Sequence, residues 1–518
     1  MALPKNGLAW PPTELANITP KLTEYGAWYS NATQTLADLY SKQERRKGVI
    51  EKLRTWFVGS KAGGQPDKAT IHVSLAQEIC RTAANLLYSE PANATIDAPT
   101  GEDGTETGTT AVQERLDIIA GPGFEQTVVA AAEISAALGG VYLRATWDST
   151  VKDHAFITKV DADAAWPEFT WGVLTGVTFW RVVKTTNSTV WRHLEHHTTE
   201  AGIGVIYHGL YQGTADNLGR TVPLTEQKAT EDLPVDQDGK ISTLTPGLAV
   251  AYAPNITPSA LWRDDPIGSN LGRSDLEGVE QKLDALDELY SSWLRDIRLG
   301  KGRLIVGASM LTDLGAGLGA GFDLDQTIFT PVKTAPSAAS DSKMAIEKVQ
   351  FDIRTEDFLK AIDHFRRIIL AAAGYSPGTF GMMDDGGAVT ATEVAARSAL
   401  SYTTRKRKIL GLKPALEAIL SKALAVDAAV FPGKGAKPFP VLVSFPDGVQ
   451  DDPAAVAAQN LNDYTSQSAS TETRVRRANP DWDNDQVAEE VARIKGDTAP
   501  PEYEDPETSG AGGIGVFP

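Results

Sequence analysis

The sequence predicts an α+β fold built from long helices and small antiparallel sheets. Three observations carry that expectation. Apolar residues recur at 3-4 spacing over several long segments, and a middle region switches to short β-branched and aromatic runs. The composition, 42% hydrophobic and 22% charged over 518 residues, is that of a chain able to bury a large core. A prior of about 150 residues per domain suggests three or four domains.

Helices are expected over 13–58 and 70–90, where Leu36, Leu39 and Tyr40, then Leu75, Ile79, Leu86 and Leu87 share a stripe. Residues 99–110 are Gly, Asp, Glu and Thr, too polar to bury, so a mobile loop is expected before helix resumes over 112–138. Between Gly139 and Tyr252 the runs starting at Val141, Thr178, Val190 and Gly204 read as antiparallel strands. Over 274–299, Leu276, Val279, Leu283, Leu286, Tyr290, Trp293 and Ile297 form a narrow a/d seam, with an acidic surface of Asp275, Glu277, Glu280, Asp284, Asp287, Glu288 and Asp296. Residues 300–352 form an insert with strand-like ends, Arg303-Leu-Ile-Val and Lys348-Val-Gln-Phe.

A second helix is expected over 355–373, ended by Gly374, and then a glycine-rich segment from Tyr375 whose length argues for a functional loop. A third long helix opens on the capping-box pattern Thr390-Ala-Thr-Glu393 and runs to about Val430, with Pro414 expected to bend it. Its Arg405-Lys-Arg-Lys408 run reads as solvated, pairing with another subunit, or touching nucleic acid. A strand over 439–445 and helices over 452–466 and 485–494 follow, then a Pro- and Gly-rich tail expected to be disordered.

The charge balance, 49 − 67 = −18, excludes a basic protein that coats nucleic acid. The single cysteine, Cys80, excludes an intramolecular disulfide, and it reads as a small core residue of a protein folded in a reducing compartment. No signal peptide or membrane span is expected. His193, Glu195 and His197 share a face if they lie on a strand, a geometry able to hold a metal; surface strand residues are the plainer reading. Asp481-x-Asp483-x-Asp485 lacks the glycine and the closing glutamate of a calcium loop. No phosphate-cradling motif of the Gly-x4-Gly-Lys-Ser/Thr type and no Gly-x-Ser-x-Gly elbow occurs, so neither an ATPase motor nor an enzyme is expected, and no cofactor.

Several segments, taken in order, resemble the portal proteins of tailed bacteriophages, specifically the family typical of long, non-contractile tails. They are Asn85-Leu-Leu-Tyr-Ser-Glu-Pro91, Gly140-Val-Tyr-Leu-Arg-Ala-Thr-Trp-Asp148, His193-Leu-Glu-His with Leu210-Tyr-Gln-Gly, Asp275 to Asp296 leading into Arg298-Leu-Gly-Lys-Gly-Arg-Leu-Ile-Val306, Thr390-Ala-Thr-Glu-Val394, and Thr473-Arg-Val-Arg-Arg with Pro480-Asp-Trp482. The resemblance implies a homo-dodecameric ring at one capsid vertex, the channel for packaging and ejecting double-stranded DNA. It also implies a portal fold: wing over 1–272 and 390–446, stem helices over 273–299 and 353–374, clip over 300–352, tunnel loop over 375–389, crown over 447–497 and a disordered tail over 498–518. Phe380, Met382, Met383, Asp384 and Asp385 would then approach DNA, and the seam from Leu276 to Ile297 would be the ring interface of the stem. The implied partners are a terminase large subunit, a head-completion adaptor, and major capsid and scaffolding proteins, in the virion and, during assembly, in the host cytoplasm. A different head-to-tail connector or minor capsid protein, and a cytosolic hydrolase with an acidic dyad, are the competing readings.

Overall fold

The computed structural model describes residues 3–44, 71–97, 109–299, 303–305, 312–313, 320–321, 347–349, 354–382, 391–446, 453–479, 482 and 484–498. The chain divides into two compact units, Met1–Pro446 and Asp447–Pro518.

In the first unit, the helix expected over 13–58 is broken into α1 (Thr19–Tyr29) and α2 (Thr33–Glu44), because Asn31 takes a left-handed φ of 55°. Helix α3 (Leu75–Leu87) buries Ile79, Cys80, Ala83 and Leu87 along one stripe. Strand β1 (Asn93–Ile96) precedes α4 (Thr110–Ile119); most of the expected polar loop lies outside the described residues. Helix α5 (Pro122–Leu138) starts with proline in its first turn and stops at Gly139, φ 85°. A Cβ at Gly139 would sit 2.5 Å from the Gly272 carbonyl oxygen, so only glycine closes this turn.

Strand β2 (Gly140–Thr146) is the middle of a three-stranded antiparallel sheet, between β3 (Phe156–Asp161) and a later strand over 250–254. It is buried on both faces. Tyr142 points into one apolar cluster, beneath α1 and α3, and Val141 and Leu143 into another. The following strands are β4 (Ala165–Thr170), β5 (Val173–Thr185), β6 (Val190–Glu200), β7 (Ile203–Gly213) and β8 (Arg220–Val222), one antiparallel sheet in that order. Strand β9 (Lys240–Pro246) also pairs with β7, and β10 (Val250–Pro254) returns to β2.

Three long helices complete the unit. Helix α6 (Glu280–Leu299) begins six residues later than the periodicity predicts, because Gly278 adopts φ 83° and the residues before it form turns. Of the insert, β11 (Arg303–Ile305) pairs with β14 (Glu347–Val349), and β12 (Thr312–Asp313) with β13 (Ala320–Gly321). Helix α7 (Thr355–Ala373) ends where predicted. Helix α8 (Ala391–Val430) runs 40 residues through Pro414, about 60 Å at 1.5 Å per residue. Thr390 of the expected cap lies outside the described residues.

Strand β15 (Val441–Ser444) pairs antiparallel with β1, and side chains close both outer edges of this ribbon. The Gln113 side chain accepts from Ile96 N–H and donates to the Ala94 carbonyl; Ser421 and Glu417 of α8 accept from Val441 and Val443 N–H. Such capping removes the open edge on which another strand could pair. In the second unit, α9 (Pro453–Ser466), α10 (Thr471–Ala478) and α11 (Asn484–Thr498) follow one another. Helix α10 was not predicted. Ser470 caps it, accepting from Thr473 N–H, and Arg477 pairs with Asp463 of α9.

Candidate functional site at the root of the helical hairpin

Helices α6 and α7 lie antiparallel. The late residue Trp293 of α6 stacks on Phe358, in the first turns of α7, at 6.4 Å and 18°, and Asp296 meets Arg354 at 2.8 Å. The small strands of the insert therefore stand at the far end of this hairpin. Its near end, the root, is where the glycine-rich loop leaves α7.

The root is built around Asp275, buried in the turns before α6. Its backbone N–H donates to the Ala136 carbonyl at 2.9 Å, tying the turn to α5. Each carboxylate oxygen accepts twice. Oδ1 receives Lys408 Nζ at 2.9 Å and Asn255 Nδ2 at 2.8 Å; Oδ2 receives Lys408 Nζ at 2.7 Å and the Tyr375 hydroxyl at 2.6 Å. Burial and the adjacent Asp275 carboxylate hold the Tyr375 hydroxyl well above its ordinary pKa, so it remains a donor. Four elements thus converge on one carboxylate: the start of α6, the end of α7, the segment after β10, and α8. A buried charge tolerates such a place only when its lone pairs are satisfied, as here.

Beside this network, α8 holds the departing loop. Thr404 donates its hydroxyl to the Gly374 carbonyl at 2.6 Å, and Ser401 Oγ accepts from Ser376 N–H at 2.9 Å and lies 2.8 Å from Thr379 Oγ1. Gly374 takes φ 94°, and a Cβ there would approach Thr404 Oγ1 to 2.9 Å. A single 3-10 turn, Pro377–Phe380, then carries the chain to Met382, whose N–H returns to the Pro377 carbonyl at 3.2 Å.

This geometry corrects several expectations. Phe380 packs edge-on against Tyr375 at 6.0 Å, and both Phe380 and Met382 rest partly buried on the chain's own core instead of projecting from a free loop. Met383, Asp384 and Asp385 lie outside the described residues. Of the seam, Leu276, Val279, Leu283 and Leu286 are fully buried within the chain and have no surface to offer a neighbour. Tyr290 and Trp293 are half-buried against the same core, and Ile297, 39% exposed, is the outermost member. The periodicity marked a buried face; what buries its first half is the chain itself.

The acidic surface expected over 275–296 is also largely engaged. Glu277 accepts from Ser259, Glu280 from Lys21, Asp287 from His72 and Val73 N–H, and Asp296 from Arg354. Arg405 and Lys408, read as part of an exposed basic run, are buried: Arg405 donates to the Leu86 and Pro446 carbonyls, and Lys408 holds Asp275. Lys406 and Arg407 are the exposed members.

The histidines of β6 are buried, not surface residues. His193 Nε2 lies 3.1 Å from His208 Nδ1 on β7, the rings stacked at 5.3 Å, while Glu195 is taken by Arg144 and by His197 at 2.6 Å. Burial, with the neighbouring imidazole, pulls His193 down to about 3, and burial pulls His208 down to about 4. Among the described residues no group of three or more His, Cys, Asp or Glu is arranged to hold a metal ion. Among them, too, no helix is long and apolar enough to cross a membrane.

The family model described as "Phage portal protein, SPP1 Gp6-like" matches residues 36–500 of the chain. No curated protein matches it.

Proposed function

The chain belongs to the SPP1 Gp6-like phage portal proteins, and from that premise we propose that it forms a ring, of about twelve copies, at one capsid vertex and lines the channel through which double-stranded DNA is packaged and ejected. The observation that carries this reading is the family match across residues 36–500. In this assignment residues 1–272 and 390–446 are the wing, α6 and α7 the stem, 300–352 the clip, 375–389 the tunnel loop and 447–497 the crown.

The hairpin geometry supports it. A clip at the far end of two antiparallel helices is placed to meet the terminase large subunit, and later a head-completion adaptor, while the wing meets major capsid and scaffolding proteins. The root network lets α8 hold both stem helices and the first residues of the loop as one piece, so a push on the loop is delivered to the wing and the stem together. With Phe380 and Met382 packed on the core, DNA contact falls to the segment after Met382. A net charge of −18 suits a conduit, because cations that release counterions from the duplex would hold the genome they must pass. The family is structural, and the energy for translocation comes from a separate motor.

Negative-stain imaging and native mass measurement of the purified chain test the proposal. Closed rings of about a dozen copies with an axial opening are expected; a monomer or a two-fold pair contradicts it. Deleting residues 383–387 is expected to leave the rings intact and to reduce DNA filling of capsids.

A further inference from the structure

Trp171 is 98% exposed, the most exposed large hydrophobic side chain among the described residues. It occupies the first position of the two-residue loop joining β4 and β5, where Thr170 pairs with Val173. Trp171 has φ 53° and Gly172 φ 80°, and positive values at both central residues are what a type I′ loop requires. Asn or Asp suits the first of these positions; a bulky side chain is disfavoured there. Another hairpin of the same sheet, between β6 and β7, makes the same loop with Ala201 at φ 49° and Gly202 at φ 84°. The turn itself therefore has no need of an indole. With Val173 beside it, 64% exposed, Trp171 forms an apolar knob that buries nothing against its own chain. Tryptophans of this kind dominate the energetics of interfaces when they enter a pocket.

The same unit carries a socket. A groove of about 450 Å³ lies between the strand β10 and α8, walled by Tyr252, Pro254, Ile256, Leu410, Pro414 and Ala418. Helix and strand are clamped together at its floor, where Gly411 meets the Pro254 carbonyl so closely that a Cβ would lie 2.4 Å away. Leu410 stands at its lip, 76% exposed. Arg407, also lining it, is exposed and donates to the Thr257 carbonyl at 3.0 Å, leaving the face of its guanidinium for a ring. The exposed Glu168 of the β4–β5 hairpin is opposite in sign to Arg407 at this rim.

We infer that Trp171 of one copy seats in the β10–α8 groove of the next copy around the ring. The inference rests on the ring reading above, and the observation that adds to it is independent of the family. A heterologous ring needs two unlike patches on each chain, one complementary to the other, whereas a two-fold pair uses one patch twice. Knob and groove are such patches, matched in apolar character, in size and in the sign of their flanking charge.

Cross-linking reads the contact directly, since Cys80 is the chain's only cysteine and is buried. A Thr170→Cys, Ala418→Cys double variant is expected to give, on oxidation, a covalent ladder of multimers that neither single variant gives. Trp171→Asn is expected to fold at least as stably as the parent, because asparagine is at ease at positive φ, and yet to form rings only at roughly tenfold higher concentration or more. Ala418→Trp, which fills the groove, is expected to show the same shift. If the parent forms rings while the double variant gives no ladder and Trp171→Asn rings dissociate at the parental concentration, the inference falls and the ring reading stands. If the parent is itself monomeric, both fall. Rings of Trp171→Asn that are as stable as the parent's but no longer enter capsids overturn the inference in favour of a capsid protein as the partner of Trp171.

Discussion

At its root the α6–α7 hairpin is tied to α8 by a buried carboxylate, a buried ammonium and a tyrosine hydroxyl, whereas at its far end Asp296 meets an Arg354 side chain that is 65% exposed. Both ends hold one acid and one base at under 3 Å. Burial makes them unequal. A buried pair that loses a partner leaves a charge without water or counter-charge, while an exposed pair trades one set of hydrogen bonds for another. The same chemistry therefore fixes the loop-bearing end and leaves the end that carries the insert adjustable.

Breaking the root should have the largest effect. Lys408→Met strands Asp275 in the interior and is expected to destabilise the first unit by about 3–5 kcal/mol, read by denaturant unfolding. Tyr375→Phe keeps the packing and removes one hydrogen bond to the carboxylate, with an expected loss of about 1.5–3 kcal/mol. A third perturbation spares both ends of the hairpin. His193 and His208 titrate near 3 and 4 in the folded chain and near 6.5 when unfolded, so the unfolded chain binds more protons in between. Their contribution is whole above about pH 6.5 and is lost as pH falls toward 4; at pH 5 the loss is on the order of 2 kcal/mol for each histidine, about 4 kcal/mol for the pair, and a His193→Phe, His208→Phe variant should flatten that slope in a melting series. Arg354→Ala, at the far end of the hairpin, is expected to cost no more than about 1 kcal/mol. Equal losses for Lys408→Met and Arg354→Ala would erase the contrast between the two ends.

Much of the fold could be read from the chain. The bounds of α7 follow from the stripe Phe358, Ile362, Phe365, Ile369 and from Gly374, because local periodicity and a left-handed stop are both written in sequence. The strand at Val441 was legible for the same reason, but its partner at Asn93 is set by topology. The seam in α6 announced a buried face without saying which surface buries it. In α8 a signal was present: the stripe Leu412, Leu416, Ile419 continues toward the N-terminus as Lys408, Arg405 or Thr404, and Ser401, the positions that face the interior. Reading the basic run as four adjacent charges hid that spacing. The His193–His208 pair joins two strands, and the Trp171–Gly172 turn depends on backbone angles that few tryptophans adopt, so neither was apparent from residue type alone.

Hydrogen exchange followed along the hairpin tests the central claim most directly, that its root is locked and its far end is not. Amides of residues 369–376 and 402–408 are predicted to exchange only with global unfolding, and those of 293–297 and 358–362 through smaller openings at least tenfold faster. Equal protection along both helices, or a root that opens first, would contradict the account.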